Sequence, residues 1–338
     1  MSKILLGMSG GVDSTASALI LKDAGYEVVG VYMKLHDNEA YHQENFEKAK
    51  RVANYLGIEI KLLDISEDFR RDVFEYFVKS YKDGITPNPC IICNRKIKFG
   101  RLIDYANSLG IDFIAMGHYA RSDDRFIYKA LDESKDQSYF LSQIDKNVVG
   151  RLIFPLGDRL KSQITELVKD ITPLQDIAKQ KESSEICFVE NDYTDVLKDF
   201  MDIDVTGEVL DSSMRVVGTH KGYMHYTIGK RRGFRVDGAH EPHYVLGLNA
   251  KNNQIIVGKK DELQVDELEL RGVNLFEELN EFEAEVKIRY RTKGVKGSVK
   301  IEGNKAKIKL YEPVFGVAKG QFGVFYHGKK LLGGGEII

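Results

Sequence analysis

Four short runs in the first part of the chain, "KILLGM", "EVVGVYM", "IEIKLLDI" and "DFIAMGHYA", are apolar almost throughout, and helical periodicity fills the gaps between them. This alternation limits the fold more than any other feature. A strand with no polar face must be covered on both sides, and helical connections between successive strands make their pairing parallel. "STASALILKDAG" closes at Gly25 and "ENFEKAKRVANYLG" at Gly57, as helices stopped by glycine. A long helical stretch follows from Ser66, and "DQSYFLSQI", "KSQITELVKDI" and "DYTDVLKDF" continue the helical pattern to about Phe200. The expected class is α/β, with a doubly wound parallel sheet.

After Asp202 the texture changes. "GEVLD", "RVVGTH", "HYVLGLN" and "NQIIVGKK" are short alternating segments split by Gly, Asn and Asp, a pattern of antiparallel sheet that persists to Ile338. Charge divides this half again: Asp261 to Glu285 is acidic, whereas Glu285 to Lys309 holds nine Lys or Arg against two Glu. The 338 residues are therefore expected to form three units, 1–202, 203–270 and 271–338. A formal net charge of −2 gives no global sign of nucleic-acid binding, so any such signal must be local. No window reaches the length of an apolar membrane span, and no leader precedes the first strand, so the expected location is cytoplasmic, with no membrane partner. Three cysteines, Cys90, Cys93 and Cys187, cannot all pair, which favours reactive or metal-binding thiols over a disulfide framework.

Between the first strand and the first helix stands "GMSGGVDS", residues Gly7, Met8, Ser9, Gly10, Gly11, Val12, Asp13 and Ser14. A glycine-rich turn there lets backbone N–H groups face an anion at a helix N-terminus. It is not a Walker loop, which requires a lysine before its Ser/Thr, and Gly7, Gly10 and Gly11 do not have the dinucleotide-binding spacing. A tight turn with an Asp/Ser cap is the bland alternative. The serine-glycine-glycine-valine-aspartate-serine order resembles the loop of the ATP-pyrophosphatases, which cleave ATP between its α- and β-phosphates.

In "TPNPCIICNRKIKFG" the cations Arg95, Lys96 and Lys98 follow Cys93 and are expected to favour its thiolate. Cys187 lies in the apolar "SSEICFV" and on its own reads as a small buried hydrophobe. A closed zinc site needs four ligands, and no histidine follows at finger spacing. His118 is a candidate for proton transfer, against the commoner reading of a strand-end histidine as structural.

The order of "GMSGGVDS", "NPCIICNRKIKF", "AMGHYAR", "KDQSYFL", "FPLGD", "SSEICFV", "HKGYMHYTIGKRRG" and "KIRYR" resembles the bacterial tRNA-specific 2-thiouridylases, the MnmA family, from residue 3 to the C-terminus. The resemblance implies an adenine-nucleotide alpha-hydrolase-like domain, a small central β domain and a C-terminal β-barrel. It implies ATP on Gly7 to Ser14 with Met33 and Gly117 beside the adenosine. Asn88, Pro89 and Cys90 would meet the target base, Cys93 would be the nucleophile, and Cys187 would carry sulfur as a persulfide. Lys135, Asp136, Gln137, Arg289 and Tyr290 would contact tRNA. A sulfur-donor protein of a persulfide relay is the further implied partner, and the uridine is the one at the wobble position.

The chemistry fits these residues. Adenylation turns a uracil carbonyl oxygen into a leaving group, sulfur then displaces AMP, and the second thiol resolves the persulfide to leave a Cys93–Cys187 disulfide. Mg²⁺ would offset phosphate charge, with Asp13 a candidate ligand. Many family members have Asp where this chain has Cys90, which leaves Cys90 as an acid/base group or a cluster ligand. An iron–sulfur cluster on Cys90, Cys93 and Cys187 is thus an alternative. The basic barrel segment Glu285 to Lys309 points to phosphate contact, against an ordinary solvated face, and Lys230, Arg231, Arg232 and Arg235 of "GKRRGFR" add a second patch. Two rivals remain. An amidotransferase-type synthetase would turn over without tRNA, and a nucleotide-sensing tRNA-binding protein would release no diphosphate.

Overall fold

The apolar runs become strands β1 (Lys3–Gly7), β2 (Glu27–Lys34), β3 (Glu59–Asp64) and β4 (Phe113–Ala115) of one parallel sheet. The computed structural model describes residues 2–171, 174–179, 186–189, 192–238 and 240–338. After β4 the chain leaves the sheet for a hairpin, β5 (Ala120–Ser122) and β6 (Ile127–Lys129), and returns as β7 (Leu152–Ile153). Sheet order is β3-β2-β1-β4-β7, so the chain winds outward both ways from β1. Ile4, Leu5 and Leu6 have no exposed surface, as a central strand of a covered sheet requires, whereas β3 is an edge strand whose Leu62 is open to solvent.

Helix α1 (Val12–Asp23) follows β1, and α2 (Glu39–Leu56) follows β2. Asn38 caps α2 by accepting from Tyr41 N at 3.1 Å, and Gly57 ends it in the left-handed region. The stretch after Ser66 divides into α3 (Ser66–Phe69), α4 (Glu75–Lys82), α5 (Pro89–Cys93) and α6 (Leu102–Ser108). Wide π-type turns, Arg70–Phe74 and Asn94–Arg101, join α3 to α4 and α5 to α6. Helix α7 (Lys161–Lys169) packs against α1. Part of the expected helical run is not helical in this sense: Ser138–Leu141 of "DQSYFLSQI" is one tight 3₁₀ turn.

The second sheet contains β8 (Gly207–Leu210), β9 (Val216–His220), β10 (Phe234–Val236), β11 (Tyr244–Asn249) and β12 (Gln254–Gly258) in the order β10-β9-β8-β12-β11. Its β8–β12 pair is parallel, a departure from the antiparallel pattern expected, and the remaining pairs are antiparallel. Then β13 (Gln264–Leu275), β14 (Glu281–Lys287), β15 (Val295–Glu302), β16 (Lys305–Phe315), β17 (Phe322–His327) and β18 (Lys330–Ile337) pair antiparallel in the order β13-β16-β15-β14-β17-β18. β13 also pairs with β18, which closes a six-stranded barrel around Leu270, Val286, Val299, Ile308 and Phe325. β13 runs without interruption through Arg271, where the charge pattern suggested a boundary.

The barrel is docked on the parallel-sheet domain. Phe322, Val324, Tyr326 and Leu331 share one core with Leu5, Ile91 and Tyr139, and Tyr139 donates to Phe322 O at 3.0 Å. Gln143 reaches Gly334 O at 2.7 Å, and Asn274 donates to Ser142 O and Ile144 O at 3.0 and 2.9 Å. The β5–β6 hairpin extends the barrel sheet through Tyr128 opposite Lys330.

Candidate active site

The glycine loop leaves β1 at Gly7, whose backbone lies against the Met116 side chain, and the buried Met8 donates to Val31 O at 2.8 Å. Gly10 has φ +79°, and a Cβ there would meet Asn45 O of α2 at 2.6 Å, so backbone geometry and space both require glycine. Ser14 folds the loop onto the helix: its Oγ donates to Gly11 O at 3.0 Å and accepts from Ser9 N at 3.2 Å. Gly11 caps α1 with no side-chain bond to the first turn. The helix therefore meets the loop with its positive end open to an anion. At the end of β4, Gly117 presses on this loop from the side; a Cβ there would lie 3.3 Å from the Asp13 carbonyl carbon.

A lysine does approach the loop, from far away in the chain. Lys161, the first residue of α7, places Nζ 2.7 and 2.9 Å from the two carboxylate oxygens of Asp13. Tyr119 donates its hydroxyl to the same carboxylate at 2.8 Å. The Lys161 backbone N–H is held by Asp132 Oδ2 at 3.0 Å. Sequence reading missed Lys161 and Tyr119, because no spacing rule links residues so distant.

Asn88 opens α5 by accepting from Ile91 N at 3.3 Å, with Pro89 in the first turn. Cys90 and Cys93, three apart on this helix, lie on one face. Cys90 is half-buried, Cys93 buried and Cys187 exposed. The Cys187 segment is held by Phe188, whose ring packs edge-on to Phe69, Phe74 and Phe77 at centroid distances of 5.6, 5.5 and 5.1 Å. Cys93, Ile97 and Phe69 share that apolar cluster, against which Met33 and Phe188 also pack. Ser183, Ser184 and Glu185, which open "SSEICFV", lie outside the described residues.

Burial pushes the Cys93 thiol up to about 12, with Lys98 opposing and the neighbouring Cys187 and Cys90 adding to the rise. Cys187 is also raised, because protein surrounds the thiol on enough sides to desolvate its charge even though its surface meets solvent; Lys98 again opposes. The expected activation of Cys93 by three cations is therefore overturned in the free protein: Arg95 and Lys96 are exposed, Lys96 faces Asp72 at 3.3 Å, and desolvation outweighs Lys98. His118, next to Gly117, is buried between Phe99 and Phe154, and its Nδ1 has no partner among the described residues. Burial, then the charge of Lys98, holds it well below the usual histidine range, so it is neutral. Lys98 is thus a common electrostatic neighbour of Cys93, Cys187 and His118, and the π-type turn after α5 is what carries it there.

Both carboxylate oxygens of Asp13, the candidate Mg²⁺ ligand, face Lys161. Among the described residues no three His, Cys, Asp or Glu side chains, the three thiols included, gather closely enough to hold a metal ion.

Three family models cover the chain: tRNA methyl transferase HUP domain over residues 2–191, tRNA methyl transferase PRC-barrel domain over 194–259, and Aminomethyltransferase beta-barrel domain over 262–337. The chain is 55% identical to the tRNA-specific 2-thiouridylase MnmA of Sulfurimonas denitrificans over 335 residues, 99% of this chain and 98% of that one. The chain belongs to the MnmA family. It is also 55% identical to the MnmA of Campylobacter jejuni strain RM1221, over 99% of both chains. A solved 4-thiouridine synthetase–RNA complex with bound ATP aligns with 55% of this chain and 45% of its own at 16% identity and a TM-score of 0.36.

The residues expected to contact tRNA fall in two places. Asp136 is buried and accepts from Ala130 N, Ser138 N and Ser138 Oγ at 2.9, 3.2 and 2.9 Å; burial raises its pKa. Gln137 accepts from Tyr119 N at 3.0 Å, and Lys135 stands beside it, half-buried. Arg289 and Tyr290 lie in the turn after β14, not on a strand face. Arg289 donates to Ile228 O of the central sheet at 3.2 Å, and Tyr290 packs on Phe140 at 4.4 Å between centroids. Arg289 and Tyr290 therefore lie where the barrel meets the central sheet and the parallel-sheet domain.

Register rewrites the charge pattern of the barrel. β13 sets Glu267 opposite Lys309 and Glu269 opposite Lys307, and β14 sets Glu281 opposite Lys300 and Glu285 opposite Lys296. Lys309 lies 2.9 Å from Asp266, and Lys307 lies 3.0 Å from Glu302. The acidic and basic runs are neighbours, so much of the apparent cationic face is locally balanced. In "GKRRGFR", Lys230 bonds His225 O at 2.6 Å and Arg235 pairs with Asp237 at 2.9 Å, while Arg231 and Arg232 are exposed.

Proposed function

We propose that this chain converts uridine in tRNA to 2-thiouridine, the reaction its full-length relatives are named for, and that it does so at the expense of ATP. The observation that carries the mechanism is one apolar cluster that holds Cys93 and against which pack Phe188, the neighbour of Cys187, and Met33 at the end of β2.

In this reading ATP lies on Gly7 to Ser14, with Met33 and Gly117 at the adenosine, and Asn88, Pro89 and Cys90 meet the wobble uridine. Uridine O2 attacks the α-phosphorus, N3 gives up its proton, and diphosphate leaves with the bonding electron pair. The terminal sulfur of a persulfide on Cys187 attacks C2, and AMP leaves. The Cys93 thiolate then attacks the Cys187 sulfur: the S–S bond of the persulfide breaks, 2-thiouridine is released, and the two cysteines are left as a disulfide. Mg²⁺ arriving with ATP would offset phosphate charge, and no side chain is assigned to it. Lys135, Asp136, Gln137, Arg289 and Tyr290 serve the tRNA, a thiol reductant reopens the Cys93–Cys187 disulfide before a donor protein recharges Cys187 with persulfide sulfur, and the enzyme works in the cytoplasm. No helix among the described residues is long and apolar enough to cross a membrane. The chain divides after about residue 202 and again before β13.

The test is nucleoside analysis of tRNA after incubation with ATP, Mg²⁺, a persulfide-bearing sulfur donor and a thiol reductant, with diphosphate measured in parallel. Wild type yields 2-thiouridine and diphosphate, and Cys187→Ser and Cys93→Ser yield no thiolated product. Equal thiolation by Cys187→Ser would remove the persulfide step, and diphosphate release without tRNA would favour a synthetase of another kind.

A further inference from the structure

Each proposed thiolation ends with Cys93 and Cys187 joined, and the carrier takes no new sulfur until that bond opens. We infer that Cys90 opens it: its thiolate attacks the Cys93 sulfur, Cys187 leaves as a thiolate, and the oxidised pair becomes Cys90–Cys93, where a thiol reductant reaches it. The inference deepens the proposed function and rests on it.

Placement on the helix carries it. Cys90 and Cys93 stand three residues apart on α5, so one turn separates them and their side chains share a face. Helical geometry sets their Cα atoms about 5 Å apart, inside the span that a disulfide bridges. The turn is fixed by its surroundings: Asn88 accepts from Ile91 N at 3.3 Å, and Pro89 and Ile91 are buried. Cys187 comes from a distant segment whose Phe188 packs on the cluster that holds Cys93. After burial, Cys187 and then Cys90 are the neighbours that raise the Cys93 thiol, so all three lie within electrostatic reach.

Exposure sorts the sulfurs. Cys93 is 5% exposed and Cys90 half-buried, so an external thiol meets Cys90 rather than Cys93. Direct reduction at the exposed Cys187 would cap the carrier with the reductant, and a second thiol would have to clear it before sulfur is loaded. Attack by Cys90 frees Cys187 in one step. The exchange conserves atoms and electrons: the Cys90–Cys93 bond forms as the Cys93–Cys187 bond breaks, and Cys187 takes up the proton that Cys90 gave up. Two reductant thiols then supply two electrons and two protons. The first attacks the Cys90 sulfur and expels Cys93, and the second releases Cys90 as the reductant becomes its own disulfide. In the proposed reaction Cys90 faces the target base, so bound tRNA screens it and the departing product uncovers it.

Disulfide mapping tests the assignment. Enzyme loaded by a persulfide-bearing donor and freed of excess donor passes through one turnover with ATP, Mg²⁺ and tRNA, without reductant. Acid quench, alkylation and peptide mass spectrometry then locate the bond. Wild type should hold mainly Cys90–Cys93 with Cys187 alkylated, and Cys90→Ser should hold Cys93–Cys187. With donor and reductant present, the ratio of later turnovers to the first should fall at least about tenfold in Cys90→Ser, because a bimolecular attack replaces an intramolecular one. That ratio cancels any change the substitution makes to base binding. Wild type found only as Cys93–Cys187 overturns the assignment, and so does an unchanged turnover ratio. Stoichiometric iron after anaerobic purification, lost in Cys90→Ser, also overturns it by making Cys90 a cluster ligand. A second map, on tRNA-free protein oxidised with diamide, separates the inference from the function. Wild type that makes no 2-thiouridine yet forms Cys90–Cys93 under diamide refutes the function and upholds the thiol pairing. Wild type that thiolates tRNA and never forms Cys90–Cys93 refutes the Cys90 assignment alone.

Discussion

Cys93 should be a silent thiol in the free protein. Its pKa is pushed up to about 12 by burial, and only 5% of its surface is exposed. At pH 8 such a thiol is ionised in roughly 1 molecule in 10⁴, against roughly 1 in 4 for an unperturbed cysteine near 8.5. A more basic thiolate is intrinsically more nucleophilic, with a slope of about 0.4–0.5, which recovers a factor of roughly 25–55. The net expectation is that iodoacetamide modifies Cys93 about 40- to 100-fold more slowly than free cysteine, before any steric protection is counted. Peptide mass spectrometry over a time course at several pH values measures this, with the urea-unfolded protein as reference. The rate should climb about tenfold per pH step from 7 to 10 without a plateau, whereas an ordinary cysteine levels off above about 8.5. The exposed Cys187 should react first, and Lys98→Met should slow both thiols because it removes the cation opposing their rise. A Cys93 rate within about threefold of free cysteine, or a plateau near pH 8.5, would refute the claim that desolvation outweighs Lys98.

Three further outcomes are expected. Burial holds His42 at about 4 and His118 well below the usual value, so both are neutral when folded. The unfolded chain gains their protons below about pH 6.5, so stability is full above that pH and declines by about 1.4 kcal/mol per pH unit for each histidine as pH falls toward 4. Thermal melts at pH 7.5, 6 and 5 would contradict this by staying level. Gln321 donates to Thr86 O and Pro87 O at 3.1 and 3.0 Å, tying the barrel to the segment before Asn88. Gln321→Leu should cost about 1–3 kcal/mol and lower kcat/KM for tRNA while ATP affinity stays constant, as equilibrium unfolding and steady-state rates can check. Gly10→Ala should cost at least about 1–2 kcal/mol from its left-handed backbone alone, and ATP affinity should fall with it; an unchanged unfolding midpoint would count against the loop geometry.

The parts of the fold legible in the sequence are those whose signals are local. β1, the glycine loop and α1 follow one another within 21 residues, and β1 and β2 are long apolar runs. β5, β6 and β7 were not legible because they span only three, three and two residues, too few for a period to register. "DQSYFLSQI" reads as helical because its apolar residues suit that spacing. Their actual partners lie in the barrel, where Ser138 Oγ meets Tyr326 OH at 3.1 Å and Tyr139 meets Phe322 O. The nine-to-two cationic excess is a count along the chain, and strand register, which sequence order does not show, places Glu267 and Glu269 opposite Lys309 and Lys307. Proximity in sequence also misled at Cys93: three nearby cations suggest a thiolate, yet a helix turns Arg95 and Lys96 outward and leaves Lys98 alone against desolvation.

The different exposures of the two thiols suit different duties. A residue that is reloaded by another protein must meet solvent, and Cys187 does. A residue that must not attack the persulfide before the base is activated gains from being protonated, and Cys93 is buried with its pKa raised. Early attack by Cys93 would discharge the carried sulfur and close the disulfide with no uridine thiolated. The same burial that makes Cys93 a poor nucleophile at rest therefore guards against a futile cycle. Thiolation then requires a step that lowers its pKa, and the group in place to contribute is Lys98, which both thiols already sense. A Lys98→Met enzyme should consequently bind ATP and release diphosphate with tRNA at near wild-type rates while the final sulfur release slows, so tRNA joined to Cys187 through a disulfide accumulates in rapid-quench samples. Slowing of diphosphate release to the same degree would place Lys98 in the adenylation step and leave the timing of Cys93 ionisation unexplained.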